Sequence, residues 1–141
     1  MDQAAVYEFM CAFRYGVVSS IAPDGSPQSA LVGIAVTPQL EIVFDTVKSS
    51  RKYPNLIARP RCSFVIGWDG EQTVQYEGFA TEPQGEELSR FQQAYFAVWP
   101  DAPSRLSWPG IAYFAVKPLL LRHTDFDKSP PQIVELRFPQ I

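Results

Sequence analysis

Phe44-Asp45-Thr46-Val47-Lys48-Ser49-Ser50-Arg51-Lys52-Tyr53-Pro54-Asn55-Leu56-Ile57-Ala58-Arg59-Pro60-Arg61 carries most of the chemistry that the chain displays. It leaves an apolar strand, Leu40-Glu41-Ile42-Val43-Phe44, and passes two serines. It then enters a short helical segment that stops near Arg59, because the residue before a proline is pushed out of the helical region. Arg51 and Lys52 thus stand at a helix start, the positive end of the helix dipole, where fixed cations are disfavoured and an anion is welcome. Free first-turn N–H groups, hydroxyls and a pair of long cations form a phosphate cradle, and Thr46, Ser49, Ser50, Arg51 and Lys52 supply them. The competing reading is a solvated basic turn on an acidic protein. Pro54 leaves the helix start open, with Ser49, Ser50 and Tyr53 as alternative caps.

Around this stretch the composition is that of a globular domain. The 141 residues are enough to bury one core, so a single domain over residues 1–141 is expected. With 46% hydrophobic residues, 13 prolines and 8 glycines, the chain reads as short strands joined by turns rather than as long helices. Twelve Lys and Arg against 15 Asp and Glu argue against a general nucleic-acid binder, so phosphate has to be captured locally. Cys11 and Cys62 are far apart, without a Cys-x-x-Cys pair or clustered histidines, so neither a disulfide framework nor a structural zinc site is indicated. Reduced thiols make a cytoplasmic location the expectation. Residues 1–20 do not read as a signal peptide, and no run approaches transmembrane length, so no membrane association is expected.

Taken in order, Val6, Phe9, Met10 and Phe13 keep helical spacing and predict an amphipathic helix over residues 3–13. Residues 15–21 form a strand that turns at Ala22-Pro23-Asp24-Gly25 into a return strand over 27–36. On that strand Leu31 and Gly33 share one face and Ala30, Val32 and Ile34 the other. Its small side chains leave room for a flat ligand, although Gly33 alone is more often a packing accommodation. Further strands are predicted over 40–45, 61–67 and 73–81, the last with a bulge or close approach at Gly78. Leu88, Phe91, Tyr95 and Val98 predict a second helix from Gln84 with Glu86 and Glu87 in its first turn. The proline-rich stretch 99–109 is a loop carrying Trp99 and Trp108, followed by a long strand over 111–122 and a short one over 132–138. The single His123 has no nucleophile motif beside it, so triad chemistry has no support.

Phe44-Asp45-Thr46, then Ser50-Arg51-Lys52, Asn55-Leu56 and Arg59-Pro60-Arg61 leading into Cys62-Ser63-Phe64-Val65-Ile66 resembles the signature of the pyridoxamine 5'-phosphate oxidase-like flavin-binding split-barrel family. The resemblance continues through Tyr76-Glu77-Gly78-Phe79-Ala80 and covers most of the chain. It implies a mainly β (α+β) fold, an antiparallel six-stranded split β-barrel with flanking helices, and FMN as cofactor. By that resemblance Asp45, Thr46, Ser50, Arg51 and Lys52 hold the flavin phosphate, the strand at Ser29, Ala30, Leu31 and Val32 runs along the ring, and Thr73 and Gln75 reach it more loosely. A homodimer with the flavin at its interface and a small-molecule substrate are further implications. The chain departs from the family in lacking an Arg at positions 28–33 and in being much shorter than true pyridoxamine phosphate oxidases, so the vitamin substrate is not carried over. Three functions stay open at this point: an FMN-dependent oxidoreductase, a deazaflavin-dependent reductase, and a non-enzymatic flavin or haem binder using His123.

Overall fold

In the computed structural model, which describes residues 1–139, the chain folds as one antiparallel sheet curled around a hydrophobic centre, with helices at its ends and on one flank. The first helix, α1 (Gln3–Cys11), starts where the Asp2 carboxylate accepts from the Ala5 N–H at 2.9 Å, a regular N-cap. It ends two residues earlier than its apolar spacing predicts. Strands β1 (Tyr15–Ile21) and β2 (Pro27–Gly33) form a hairpin whose turn places Gly25 at a φ of 86°, the left-handed value that the Asp-Gly pair signals. After β2 come β3 (Ala35–Val36), β4 (Ile42–Val47), α2 (Lys52–Ala58), β5 (Arg61–Ile66), β6 (Gln72–Thr81), α3 (Gly85–Val98), a 3-10 turn at Ala102–Ser107, β7 (Ile111–Asp125) and β8 (Gln132–Arg137).

Among the described residues eight strands replace the expected six. The return strand predicted over 27–36 is broken at Ile34: residues up to Gly33 pair with β1, whereas Ala35 and Val36 cross over to pair with β4. The strand order is β2-β1-β5-β6-β7-β4-β3, with β8 attached to β7 alone. β7 is therefore a forked strand. Its first part, through Val116, pairs with β4, and its later part, from Leu120, pairs with β8.

Two apolar clusters hold this arrangement. Inside the curl, Phe44, Phe64, Tyr76 and Phe114 pack with Val6 and Met10 of α1 and Leu56 of α2. The helices close opposite ends: Phe9 of α1 packs edge-on to His123, whereas Asn55 Nδ2 of α2 donates to Ser20 Oγ at 3.1 Å and to Gln28 Oε1 at 2.9 Å. On the outer side of β3, β4 and β7, Phe91 and Tyr95 of α3 cover Ala35, Val43, Tyr113 and Ala115. Among the described residues no helix covers the outer side of β2, β1, β5 and β6, and Leu31 there is 61% exposed.

The predicted irregularity at Gly78 is a register shift between β6 and β7, in which Leu119 is the extra residue. A side chain at Gly78 would stand 2.5 Å from Val116 Cγ1, 2.7 Å from the Tyr76 ring and 2.9 Å from the Lys117 carbonyl, so only glycine fits.

Candidate functional site

Strand alternation decides which residues of the 44–52 segment can act together. Phe44 and Thr46 point into the curl, and Asp45 points to the α3 side. Thr46 is buried, and its Oγ1 lies 3.0 Å from Ser50 Oγ, because the turn closed by Ser50 N–H donating to Val47 C=O brings the two hydroxyls together. The neighbouring Lys48 N–H donates to the Gly110 carbonyl at 2.8 Å, which fastens the turn to the segment that precedes β7.

Beyond this hydroxyl pair the cations gather. Arg51 is the cap residue of α2, exposed and making no capping hydrogen bond with its side chain, and Lys52 opens the helix half-buried. No acidic residue occupies the first turn of α2. Among the described residues no carboxylate lies within 4.0 Å of Lys48, Arg51 or Lys52. Burial, and then the adjacent Arg51 guanidinium, lowers the pKa of the Lys52 ammonium. Glu82, on the segment after β6, is taken by the Tyr53 hydroxyl at 2.8 Å, a bond that raises the tyrosine pKa. Two hydroxyls and uncompensated positive charge thus converge on one turn, an arrangement that suits an oxyanion.

Asp45 has a different role from the one its neighbours suggest. Its Oδ1 accepts from Tyr95 OH at 3.1 Å and its Oδ2 from Arg105 Nε at 3.0 Å, so the carboxylate ties β4 to α3 and to the 3-10 turn. Arg105 continues to Asp101 Oδ2 at 3.1 Å. Burial and then the Asp45 charge push the Tyr95 phenol well above its ordinary range and the Tyr113 phenol up to about 12. The Tyr113 hydroxyl is itself buried without a hydrogen-bond partner among the described residues. Sequence spacing could not show this cluster, because Asp45 and Arg105 are 60 positions apart.

The strand expected to run along a ring is divided by the same alternation. Ala30 and Val32 face the interior, whereas Leu31 and Ser29 face outward, with Ser29 Oγ 2.8 Å from Ser19 Oγ. Thr73 and Gln75 also point outward, since the intervening Val74 and Tyr76 are in the core. Within one chain, the turn at Thr46 and Ser50 and the outward residues Ser29, Leu31, Thr73 and Gln75 therefore lie on different sides of the sheet. Gly33 proves to be a packing accommodation: the Trp99 indole would stand 2.7 Å from a β-carbon there, and its Nε1 donates to Ile34 C=O at 3.0 Å. Trp99 is thus built into the fold, whereas Trp108 is 52% exposed two residues before the Gly110 carbonyl that holds Lys48.

His123 is 4% exposed, its Nε2 is 3.1 Å from Gln72 Oε1 and its ring meets Phe9. It is a core histidine, not one presented to a ligand. Burial lowers its pKa below the ordinary 6.5, with Asp125 opposing. Because the unfolded chain then binds the proton more readily, its contribution to stability is complete above about pH 6.5 and is lost as the pH falls from there through the lowered pKa of the folded ring. The urea midpoint should therefore drop between pH 7 and pH 5, and the part of that drop due to this ring should vanish in His123→Gln. An unchanged pH profile in the variant would remove His123 from the acid response.

Among the described residues no helix is long and apolar enough to cross a membrane, and no cluster of potential metal ligands occurs. A family model described as pyridoxamine 5'-phosphate oxidase matches residues 3–118. The pyridoxine/pyridoxamine 5'-phosphate oxidase of a Nocardioides species is 31% identical over 93 residues, which are 65% of this chain and 42% of that protein. The chain thus spans less than half the length of this curated relative. Among solved structures, a haem binding protein from Mycobacterium smegmatis superposes with a TM-score of 0.83 at 16% identity, covering 97% of this chain and 58% of that one. A pyridoxamine 5'-phosphate oxidase-related, FMN binding protein from Nostoc punctiforme superposes with a TM-score of 0.67 at 12% identity, covering 98% and 93%. At these identities the two structures share the curled-barrel fold with this chain.

Proposed function

We propose that this chain, which belongs to the pyridoxamine 5'-phosphate oxidase family, is an FMN-binding oxidoreductase whose flavin phosphate is held by Thr46, Ser50, Arg51 and Lys52. One observation carries the reading: the turn that pairs the buried Thr46 hydroxyl with Ser50 runs directly into Arg51 and Lys52, cations that no carboxylate of the described residues neutralises. A phosphate dianion would satisfy both hydroxyls as donors and offset the repulsion between Arg51 and Lys52. Asp45 serves this site indirectly, by fixing β4 to Arg105 and thereby the loop that carries Trp108.

The flavin, when bound, supplies the electron transfer, and the protein supplies position and exclusion of water. The outward residues Ser29, Leu31, Thr73 and Gln75 complete the site only if a second copy brings its own sheet face to the cradle, so the active species is a homodimer. The helix-free outer side around Tyr15, Leu31 and Val65, each at least 40% exposed and the last two in the same row as Gln75, is the surface that such a dimer would cover, at the end of β5 and β6 away from Arg61 and Phe79. The substrate reading is a planar, modestly polar small molecule stacked on the open ring face, in keeping with the mostly apolar lining of ligand pockets.

One FMN titration with three readouts tests this. The protein should bind FMN with a flavin absorption spectrum, and Arg51→Ala with Lys52→Ala should weaken binding by about a hundredfold or more, since hydrogen bonds to charged groups each contribute about 1.5–3 kcal/mol. The loaded protein should sediment as a dimer, and NADH or NADPH should reduce the bound flavin faster than free flavin. Equal FMN affinity in the double variant would eliminate the cradle. A loaded monomer would confine the site to one chain, and flavin that neither nicotinamide reduces would leave a binding protein without this activity. A deazaflavin spectrum in the purified material would replace FMN in the same groove.

A further inference from the structure

The fork in β7 leaves a notch that the flavin reading does not use. β4 reaches Val116 along this strand and β8 begins at Leu120, so the edge of Lys117, Pro118 and Leu119 has no strand beside it. Pro118 contributes no backbone donor to close this gap. The result is a cavity of about 390 Å³ lined by Arg61, Phe79, Thr81, Lys117, Leu119 and Pro139, among others.

Three of these residues form a row across the outer side of the sheet. Arg61 is opposite Phe79 on β6, and Phe79 is opposite Lys117 on β7. Phe79 is 41% exposed between two exposed cations, whose α-carbons the strand spacing sets about 10 Å apart. Among the described residues neither Arg61 nor Lys117 has a carboxylate within 4.0 Å. Glu77, one step along the same face of β6 and opposite Ser63, is not in an ion pair with either. Neither cation lies over the Phe79 ring. An apolar floor with an exposed aromatic face and a cation at each rim is complementary to one chemical class: a flat ring that stacks on Phe79 and carries an oxyanion for Arg61 or Lys117.

We propose that the notch at the β7 fork is a binding site for a planar aromatic oxyanion, separate from the cradle at Thr46 and Ser50. The two cannot be one site within a chain, because Phe79 points outward from the sheet, whereas Thr46 points inward.

Anthranilate is the probe, with aniline lacking the charge and acetate lacking the ring, titrated against the full chain with and without FMN. Saturable anthranilate binding is expected, with aniline and acetate each at least about tenfold weaker. Arg61→Gln with Lys117→Gln, and separately Phe79→Ser, should each weaken anthranilate by about tenfold or more, and Arg51→Ala with Lys52→Ala should leave it unchanged. The three notch positions are exposed, so circular dichroism of the variants should match the parent. Anthranilate affinity unaltered in both notch variants, or lost with Arg51 and Lys52, would overturn the proposal, as would aniline or acetate binding as tightly as anthranilate.

Discussion

Asp45→Ala is expected to lower the unfolding free energy by about 3–5 kcal/mol, because it removes one partner of a largely buried ion pair and strands the other. The side chains of Arg105 and Asp45 are only 18% and 13% exposed, and the same carboxylate also accepts the Tyr95 hydroxyl at 3.1 Å. The loss falls on the contact between β4 and the α3 side of the molecule, so it should appear in urea denaturation as a lower midpoint with an unchanged slope. Asp45→Ala with Arg105→Ala should cost less than the sum of the single variants, since the second change removes the stranded charge. A single-variant loss under about 1 kcal/mol would mean that water reaches the pair and screens it.

Phe44→Ala, one residue away, should be comparably damaging for a different reason. Phe44 is fully buried inside the curl, with its ring centre 5.9 Å from that of Phe64 and 5.7 Å from that of Phe114. Truncating a buried phenylalanine removes its transfer free energy and leaves a cavity, together about 3–5 kcal/mol. The two substitutions strike opposite sides of one strand and two separate apolar clusters. Phe44→Leu, which refills much of the volume, should recover more than half of the loss. If Phe44→Leu and Phe44→Ala proved equally unstable, ring geometry rather than volume would set the cost.

These neighbours show what was legible in the sequence. Local periodicity was enough for both long helices, the Asp24-Gly25 hairpin, the basic turn at Ser50-Arg51-Lys52 and the irregularity at Gly78, because each depends on residues close in sequence. The placement of Asp45 was not read, although the period of two in a strand already separates it from Thr46. The resemblance grouped Asp45 with Thr46, and Ser29 and Leu31 with Ala30 and Val32, although alternation, already read for Leu31 against Ala30 and Val32, sends their side chains to different faces. What no local reading could reach was partnership at a distance: Arg105 for Asp45, the Trp99 indole against Gly33, and Gln72 for His123. The break at Ile34 was hidden because apolar residues continue through it, and only the pairing of Ala35 with Val43 shows that the strand changes neighbours.

The pairing of β4 with β7 has a consequence for the order in which the molecule is made. Phe44 is opposite Phe114, so this pairing joins residues about seventy positions apart, the widest separation of any strand pair in the sheet. Loop-closure entropy makes so distant a contact late and slow to form. During synthesis the segment 46–52 leaves the ribosome well before Ile111–Asp125 exists to hold β4 and before the Gly110 carbonyl can hold Lys48. The turn at 46–52 is written early in the chain and fastened from its far end.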